Sequence, residues 1–206
     1  MENKPKLCIL GASHATRLYA ACKENSKITS KYQVLGNVQS GATWNTFKFK
    51  DEMLTQLTER DVLIVQFLGN DLLKRHILIT PNPKTIHLMK FVPQPDSYVE
   101  IVRGELKKKL STLKCKIFII DDPYRHLKCC KYHKTPGLMQ YLTKRNKELH
   151  TFFSEYTVLN HKNLCSLSNR KLKSLSYYAG LLEDKVHFKG VIYRAWADNL
   201  FVILSK

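Results

Sequence analysis

The sequence predicts a three-layer α/β/α domain on a five-stranded parallel sheet, and three observations predict it. Short apolar runs alternate with stretches of helical spacing, the order that builds right-handed βαβ units. One run, Val62-Leu63-Ile64-Val65, is apolar at every position, as a strand covered on both faces must be. No internal repeat or low-complexity tract breaks the pattern, and 206 residues suffice for one domain, 1–206, with a sizeable core.

The elements follow in order. Leu7–Leu10 reads as the first strand and Ala15–Glu24 as a helix with Leu18, Ala21 and Cys22 on one face. Tyr32–Leu35 is a short second strand, leading into Asn37-Val38-Gln39-Ser40-Gly41-Ala42-Thr43. Thr46–Leu57 has weak helical spacing through Phe49, Met53, Leu54 and Leu57. The third strand, within Asp61–Leu68, ends at Gly69-Asn70-Asp71. Residues 74–95 carry Pro81, Pro83, Pro93 and Pro95 and read as a long connection, a candidate lid over a site. Ser97–Leu113 is a helix with Val99, Val102, Leu106 and Leu110 aligned. Lys116–Ile120 is the fourth strand, Leu138–Phe153 a helix and Tyr156–Leu159 a short fifth strand. Leu175–Leu182 follows a basic segment, and a last helix runs from Lys189 to Leu204.

Charge and cysteine usage narrow the class. Thirty-four Lys and Arg against 17 Asp and Glu leave a formal charge of +17, a surface that attracts polyanions such as RNA, DNA or an anionic membrane. Arg125, Lys128, Lys131, Lys134, Lys144 and Arg145 form the densest basic stretch, with Tyr124, Tyr132 and Tyr141 interleaved to stack on bases; the alternative is a solvated face. The six cysteines are scattered, which suits reduced thiols in the cytoplasm or nucleus. The amino terminus lacks a signal-peptide core and no run has transmembrane length, although a fragment of a longer chain would also lack its own targeting signal. His126, Cys129, Cys130 and His133 have ligand chemistry but no second spaced pair, and the flanking lysines repel a cation, so neither metal nor cofactor is expected.

The stretch Ile9-Leu10-Gly11-Ala12-Ser13-His14 carries the chemistry. A strand that ends in Gly11 and passes at once into a helix puts Ser13 at the carboxyl edge of the sheet, where open α/β sheets bind ligands. Gly41 and Gly69-Asn70 fall at the ends of the next two strands and so share that edge. Asp184-Lys185-Val186-His187 precedes the last helix. The residue types suit acyl-ester chemistry. Ser13 would attack, His187 would take its proton, and Asp184 would fix the imidazole tautomer. The Ser13 and Gly41 N–H groups and the Asn70 amide would hold the oxyanion. Each residue also has a plainer reading: Ser13, Asn70-Asp71 and Asp184 as helix caps, Gly41 as a turn glycine, and His187 as a surface residue.

Taken together and in this order, the four blocks resemble the SGNH (GDSL-like) hydrolase family over residues 7 to about 204. The resemblance implies a flavodoxin-like sheet, a Ser13-His187-Asp184 esterase site with Ser13, Gly41 and Asn70 at the oxyanion hole, and a small acyl-ester or lipid-ester substrate. Ala12 departs from the aspartate usual in the family beside the nucleophile, which touches loop geometry and not the chemistry. The wording Gly-Ala-Ser-His-Ala-Thr-Arg-Leu is also similar to the esterase domains of LINE-type retrotransposon first-frame proteins and to the RNA-binding SGNH-like domain of Oskar. The alternative function is therefore a non-catalytic nucleic-acid-binding module of the same shape.

Overall fold

A computed structural model of the chain describes residues 4–78, 88–123, 137–165, 181, 183 and 187–206. In chain order the described elements are β1 (Lys6–Gly11), α1 (Ser13–Glu24), α2 (Ser26–Lys31), β2 (Gln33–Val38), a 3-10 turn (Trp44–Thr46), α3 (Asp51–Thr55), β3 (Val62–Gln66), a second 3-10 turn (Leu68–Asn70), β4 (Leu73–Leu78), β5 (Leu88–Pro93), α4 (Asp96–Leu110), β6 (Lys116–Ile120), α5 (Leu138–Phe152), β7 (Thr157–Leu159), α6 (His161–Leu164) and α7 (Gly190–Leu204). Five strands pair in parallel in the order β2-β1-β3-β6-β7, so the chain reverses its direction of travel across the sheet between β1 and β3. Open parallel sheets with such a reversal bind ligands at the carboxyl ends of the two strands that flank it, here β1 and β3.

The strand period of two sorts the core into two layers. Leu7, Ile9, Val62, Ile64, Phe118 and Ile120 face one way and pack with Leu18 and Cys22 of α1 and Tyr193, Trp196 and Leu200 of α7. Cys8, Leu10, Leu63, Val65, Ile117 and Ile119 face the other way and meet Val102, Leu106 and Leu110 of α4 and Leu149 of α5. Every residue of β3 is buried, as its unbroken apolar run requires. The three-layer architecture is thus as the sequence predicts.

Three elements differ from expectation. Residues 46–57 do not form one helix. The Asn37 amide donates to the Lys48 carbonyl, and its oxygen accepts from the Lys50 N–H, so a side chain takes the backbone groups a helix would use. Phe47 and Phe49 are thereby turned onto Trp44 and Phe67, and only Asp51–Thr55 coils. Within residues 74–95, β4 and β5 pair as an antiparallel hairpin; residues 79–87, with Pro81 and Pro83, lie outside the described residues. Pro93 ends β5 opposite Leu73, where a strand tolerates a residue without an N–H. The second strand runs on to Val38, because β2 pairs with β1 along its whole length. Residues 166–180 and 182 lie outside the described residues, and with them most of Leu175–Leu182.

Cys8, Cys22, Cys115 and Cys165 are free and buried. Burial pushes the Cys8 and Cys22 thiols up to about 12, so they act as small core residues and not as nucleophiles. Among the described residues, no helix is long and apolar enough to cross a membrane.

Candidate active site

The site begins where β1 leaves the sheet. Gly11 has φ +148, and a Cβ built there would lie 1.9 Å from the Gln66 carbonyl oxygen at the end of β3. Only glycine lets the two strand ends close this tightly. The chain crosses at once: the Ala12 N–H donates to that same carbonyl at 3.2 Å. Ala12 is the N-cap of α1 and supplies no side-chain cap, so Ser13 is the first residue inside the helix and not its cap. The first intrahelical bond runs from the Thr16 N–H to the Ala12 carbonyl, and the earlier N–H groups of the turn have no intrahelical acceptor. Ser13 stands there at 8% exposure, with its hydroxyl hydrogen-bonded to no described residue. The helix dipole makes this turn a favourable place for negative charge.

The loop after β2 is drawn to the same spot. The Gln39 N–H donates to the Gly11 carbonyl at 3.0 Å. Gly41 follows with φ +76, exposed, and with no atom within 4 Å of where a Cβ would stand. Asn70, at the end of the 3-10 turn beyond β3, donates from its amide to the Ala42 carbonyl at 2.9 Å. Asn70 is thus bonded to the residue that follows Gly41, on the loop held to the end of β1.

Asp71 fastens this arrangement, a role the sequence does not disclose. It is buried, and its Oδ1 accepts from the Trp44 N–H at 2.8 Å and the Tyr98 hydroxyl at 3.1 Å, tying the Gly41 loop to α4. Burial pushes its carboxyl up to about 6 against the pull of these bonds. Between its ordinary value and about 6, the folded protein holds a proton that the unfolded chain has released. Stability contributed by Asp71 is full below that range and is lost as pH rises through about 6. Asp71→Asn keeps an acceptor for both donors and removes the titration. Urea midpoints at pH 4.5 and pH 7 should show the variant gaining on wild type as pH rises, by about 2 kcal/mol.

His187 reaches the site from the other end of the chain. Its ring lies with its centroid 5.1 Å from that of His14, the neighbour of Ser13 on the first turn of α1. The segment is pinned further along the same helix, where Arg17 pairs with Glu183 at 2.7 Å. The Glu183 N–H donates to the His187 carbonyl at 2.8 Å, closing the loop between them. No hydrogen bond joins Ser13 to His187; the two share the first turn of α1 through His14. Asp184 lies outside the described residues.

A second His–Asp pair sits on the same edge of the sheet, beyond β6. His161 Nδ1 and the Asp121 carboxylate lie 2.5 Å apart, and both side chains are 1% exposed. Burial pushes the Asp121 carboxyl up, yet His161, by charge and by side-chain and backbone hydrogen bonds, holds it below its ordinary value. The His161 N–H also donates to Asp121 Oδ1 at 2.7 Å, so the pair holds α6 to the end of β6.

Of the basic candidates, Arg125, Lys128, Lys131 and Lys134 lie outside the described residues, as do His126, Cys129, Cys130 and His133. Lys144 is exposed, 3.6 Å from Glu148. Arg145 is a correction. Its side chain is 3% exposed and is held by Asp96 and Glu148, with Arg103 beside it on the same glutamate. Arg145 lies between Leu142 and Leu149 on the core face of α5, so its guanidinium serves the α4–α5 contact and not a phosphate-facing surface. Among the described residues no group of metal-ligating side chains occurs.

By sequence, the chain matches no family model and no curated protein. By shape it is similar to several solved structures. A GDSL-like lipase from Bacteroides thetaiotaomicron shares 12% identity at a TM-score of 0.61, over 97% of this chain and 87% of that one. Axe2, an acetylxylan esterase from Geobacillus stearothermophilus, shares 14% at a TM-score of 0.58, over 99% and 95%. A Bacillus subtilis protein shares 12% at a TM-score of 0.61, over 98% of this chain, which spans only 56% of that longer protein. These likenesses are of fold: the five-stranded parallel sheet flanked by helices is the one GDSL-like hydrolases have.

Proposed function

We propose that the chain is a serine ester hydrolase acting on short acyl or lipid esters, with Ser13 as nucleophile, His187 as base and Asp184 as the group that orients it. One observation carries the reading. An imidazole from near residue 190 meets the first turn of α1, the turn that Ser13 opens, while Gly41 and Asn70 converge beside the same strand end. The GDSL-like fold supports it.

In the proposed reaction the Ser13 hydroxyl attacks the ester carbonyl and passes its proton to His187. The oxyanion is met by the Ser13 and Gly41 N–H groups and the Asn70 amide, each worth about 10²–10³ in turnover. His187 then protonates the departing alcohol, leaving an acyl group on Ser13. Water, deprotonated by His187, adds to that ester and releases the acid. The positive end of α1 favours both oxyanions. Purified protein should hydrolyse p-nitrophenyl acetate above background, and Ser13→Ala should return the rate to background. Equal rates for the two proteins refute the enzyme reading.

The charge of +17 favours a second reading, a nucleic-acid-binding module of the same shape. Binding of a single-stranded RNA would then fall steeply between 50 and 200 mM salt and survive Ser13→Ala. RNA binding that ignores salt, or that is lost in Ser13→Ala, counts against it.

A further inference from the structure

The esterase reading uses His187 but says nothing of what sets the ring's height above α1. The residue that follows it does. The Phe188 N–H donates to the Tyr193 hydroxyl at 3.3 Å, and that hydroxyl lies 2.7 Å from His14 Nδ1. The tyrosine hydroxyl therefore bridges the Phe188 N–H and the His14 ring, whichever of the hydroxyl and Nδ1 carries the shared hydrogen. All three residues are buried: His14 at 7% exposure, Tyr193 at 1% and Phe188 at 0%. Their rings form one cluster, with centroids 6.1 Å apart from His14 to Tyr193 and to Phe188, and 6.0 Å from Phe188 to Tyr193. The chain of bonds starts at the peptide next to His187, crosses α7, and ends on the residue next to Ser13.

We infer that His14 and Tyr193 are positioning residues: through the Phe188 N–H they clamp the His187 segment to the first turn of α1 and so fix the imidazole relative to Ser13. The inference rests on the esterase reading of the same site. Neither residue exchanges a proton with substrate. Burial fits this role, because a buried hydroxyl bonded on both sides has one favourable orientation. The ring contact of His14 with His187 adds a second, steric stop. A shift of about 1 Å in a catalytic group can cost about a hundredfold in rate, so a clamp of this kind acts on kcat.

Tyr193→Phe removes one oxygen and keeps the ring against Phe188 and Trp196, so the fold is retained. His14→Leu removes the ring nitrogen, while His14→Asn sets an amide, able to donate or accept, near the place of Nδ1. With p-nitrophenyl acetate, Tyr193→Phe and His14→Leu should each lower kcat between about tenfold and a hundredfold, with KM changed less than about twofold. The double variant should be no slower than the slower single, and His14→Asn should recover most of the rate. The ring-nitrogen NMR resonances of His187, identified by their loss in His187→Ala, should move in Tyr193→Phe and return toward their places in His14→Asn. Unchanged kcat and unchanged resonances in Tyr193→Phe would overturn the inference. So would a raised KM at constant kcat. A wild-type protein that hydrolyses nothing refutes the esterase reading alone. The resonances then decide by themselves: movement supports the clamp and constancy overturns it.

Discussion

The double variant Ser13→Ala/His187→Ala is expected to hydrolyse p-nitrophenyl acetate no more slowly than either single variant, each falling at least about 10³-fold below wild type. The reason is that the two groups form one device. A serine hydroxyl is a weak nucleophile until a base takes its proton during attack, and an imidazole without that hydroxyl can act only on a water that no covalent bond positions. Removing either therefore removes nearly the whole of their joint contribution. What remains is binding and whatever the N–H groups of Ser13 and Gly41 and the Asn70 amide supply to an attacking water. Losses that multiply in the double variant would mean that the two residues act independently. The assay is initial rates on the four proteins, with circular dichroism to show that each is folded.

The second large effect is on the fold. Gly11→Ala is expected to lower stability by more than about 4 kcal/mol, a large share of the 5–15 kcal/mol typical of a whole domain. The added methyl would stand 1.9 Å from the Gln66 oxygen and 2.6 Å from its carbon. Both are backbone atoms of the central strand and have nowhere to go. Strands β1 and β3 must part, and the bond from the Ala12 N–H to Gln66 goes with them. Gly41→Ala makes the informative contrast. Its φ of +76 is also unfavourable for alanine, but the space around it is empty. Its cost should stay near the 1–2 kcal/mol of a single left-handed residue. Thermal unfolding of the two variants separates the effects, with Gly11→Ala melting roughly 8–16 °C below wild type or failing to fold.

The sheet was legible in the sequence because each of its strands is short, apolar and bounded by turn residues. The doubly covered Val62–Val65 run marks the central strand by itself. Gly11-x-Ser13, Gly41 and Asn70 were legible because a parallel sheet sends every strand's carboxyl end to one edge, so position along the chain becomes position in space. His187 was harder to place. No local rule brings residue 187 to the first turn of α1 beside His14; the packing of α7 on α1 and the Arg17–Glu183 pair do. The missed features depend on side-chain bonds across long separations. Asn37 replaces a helix at 46–50 with extended chain, and Asp71 straps Trp44 to Tyr98, where the sequence shows only a capping-type dipeptide. Arg145 reads as part of a basic run, yet its spacing with Leu142 and Leu149 already put it on the buried face of α5. Periodicity carried more information there than charge. The β4–β5 hairpin was hidden because Pro93 at the end of β5, with Pro81 and Pro83 between the two strands in the sequence, reads as loop punctuation.

The central claim is that Ser13 is an activated nucleophile within reach of His187. A fluorophosphonate probe tests it most directly, because the probe reacts with an activated serine hydroxyl, releases fluoride, and leaves a covalent phosphonyl group readable by mass spectrometry. One adduct on the peptide that carries Ser13, absent in Ser13→Ala and much slower to form in His187→Ala, is the predicted result. An unlabelled Ser13 peptide after long incubation, or labelling at the same rate in His187→Ala, would contradict it.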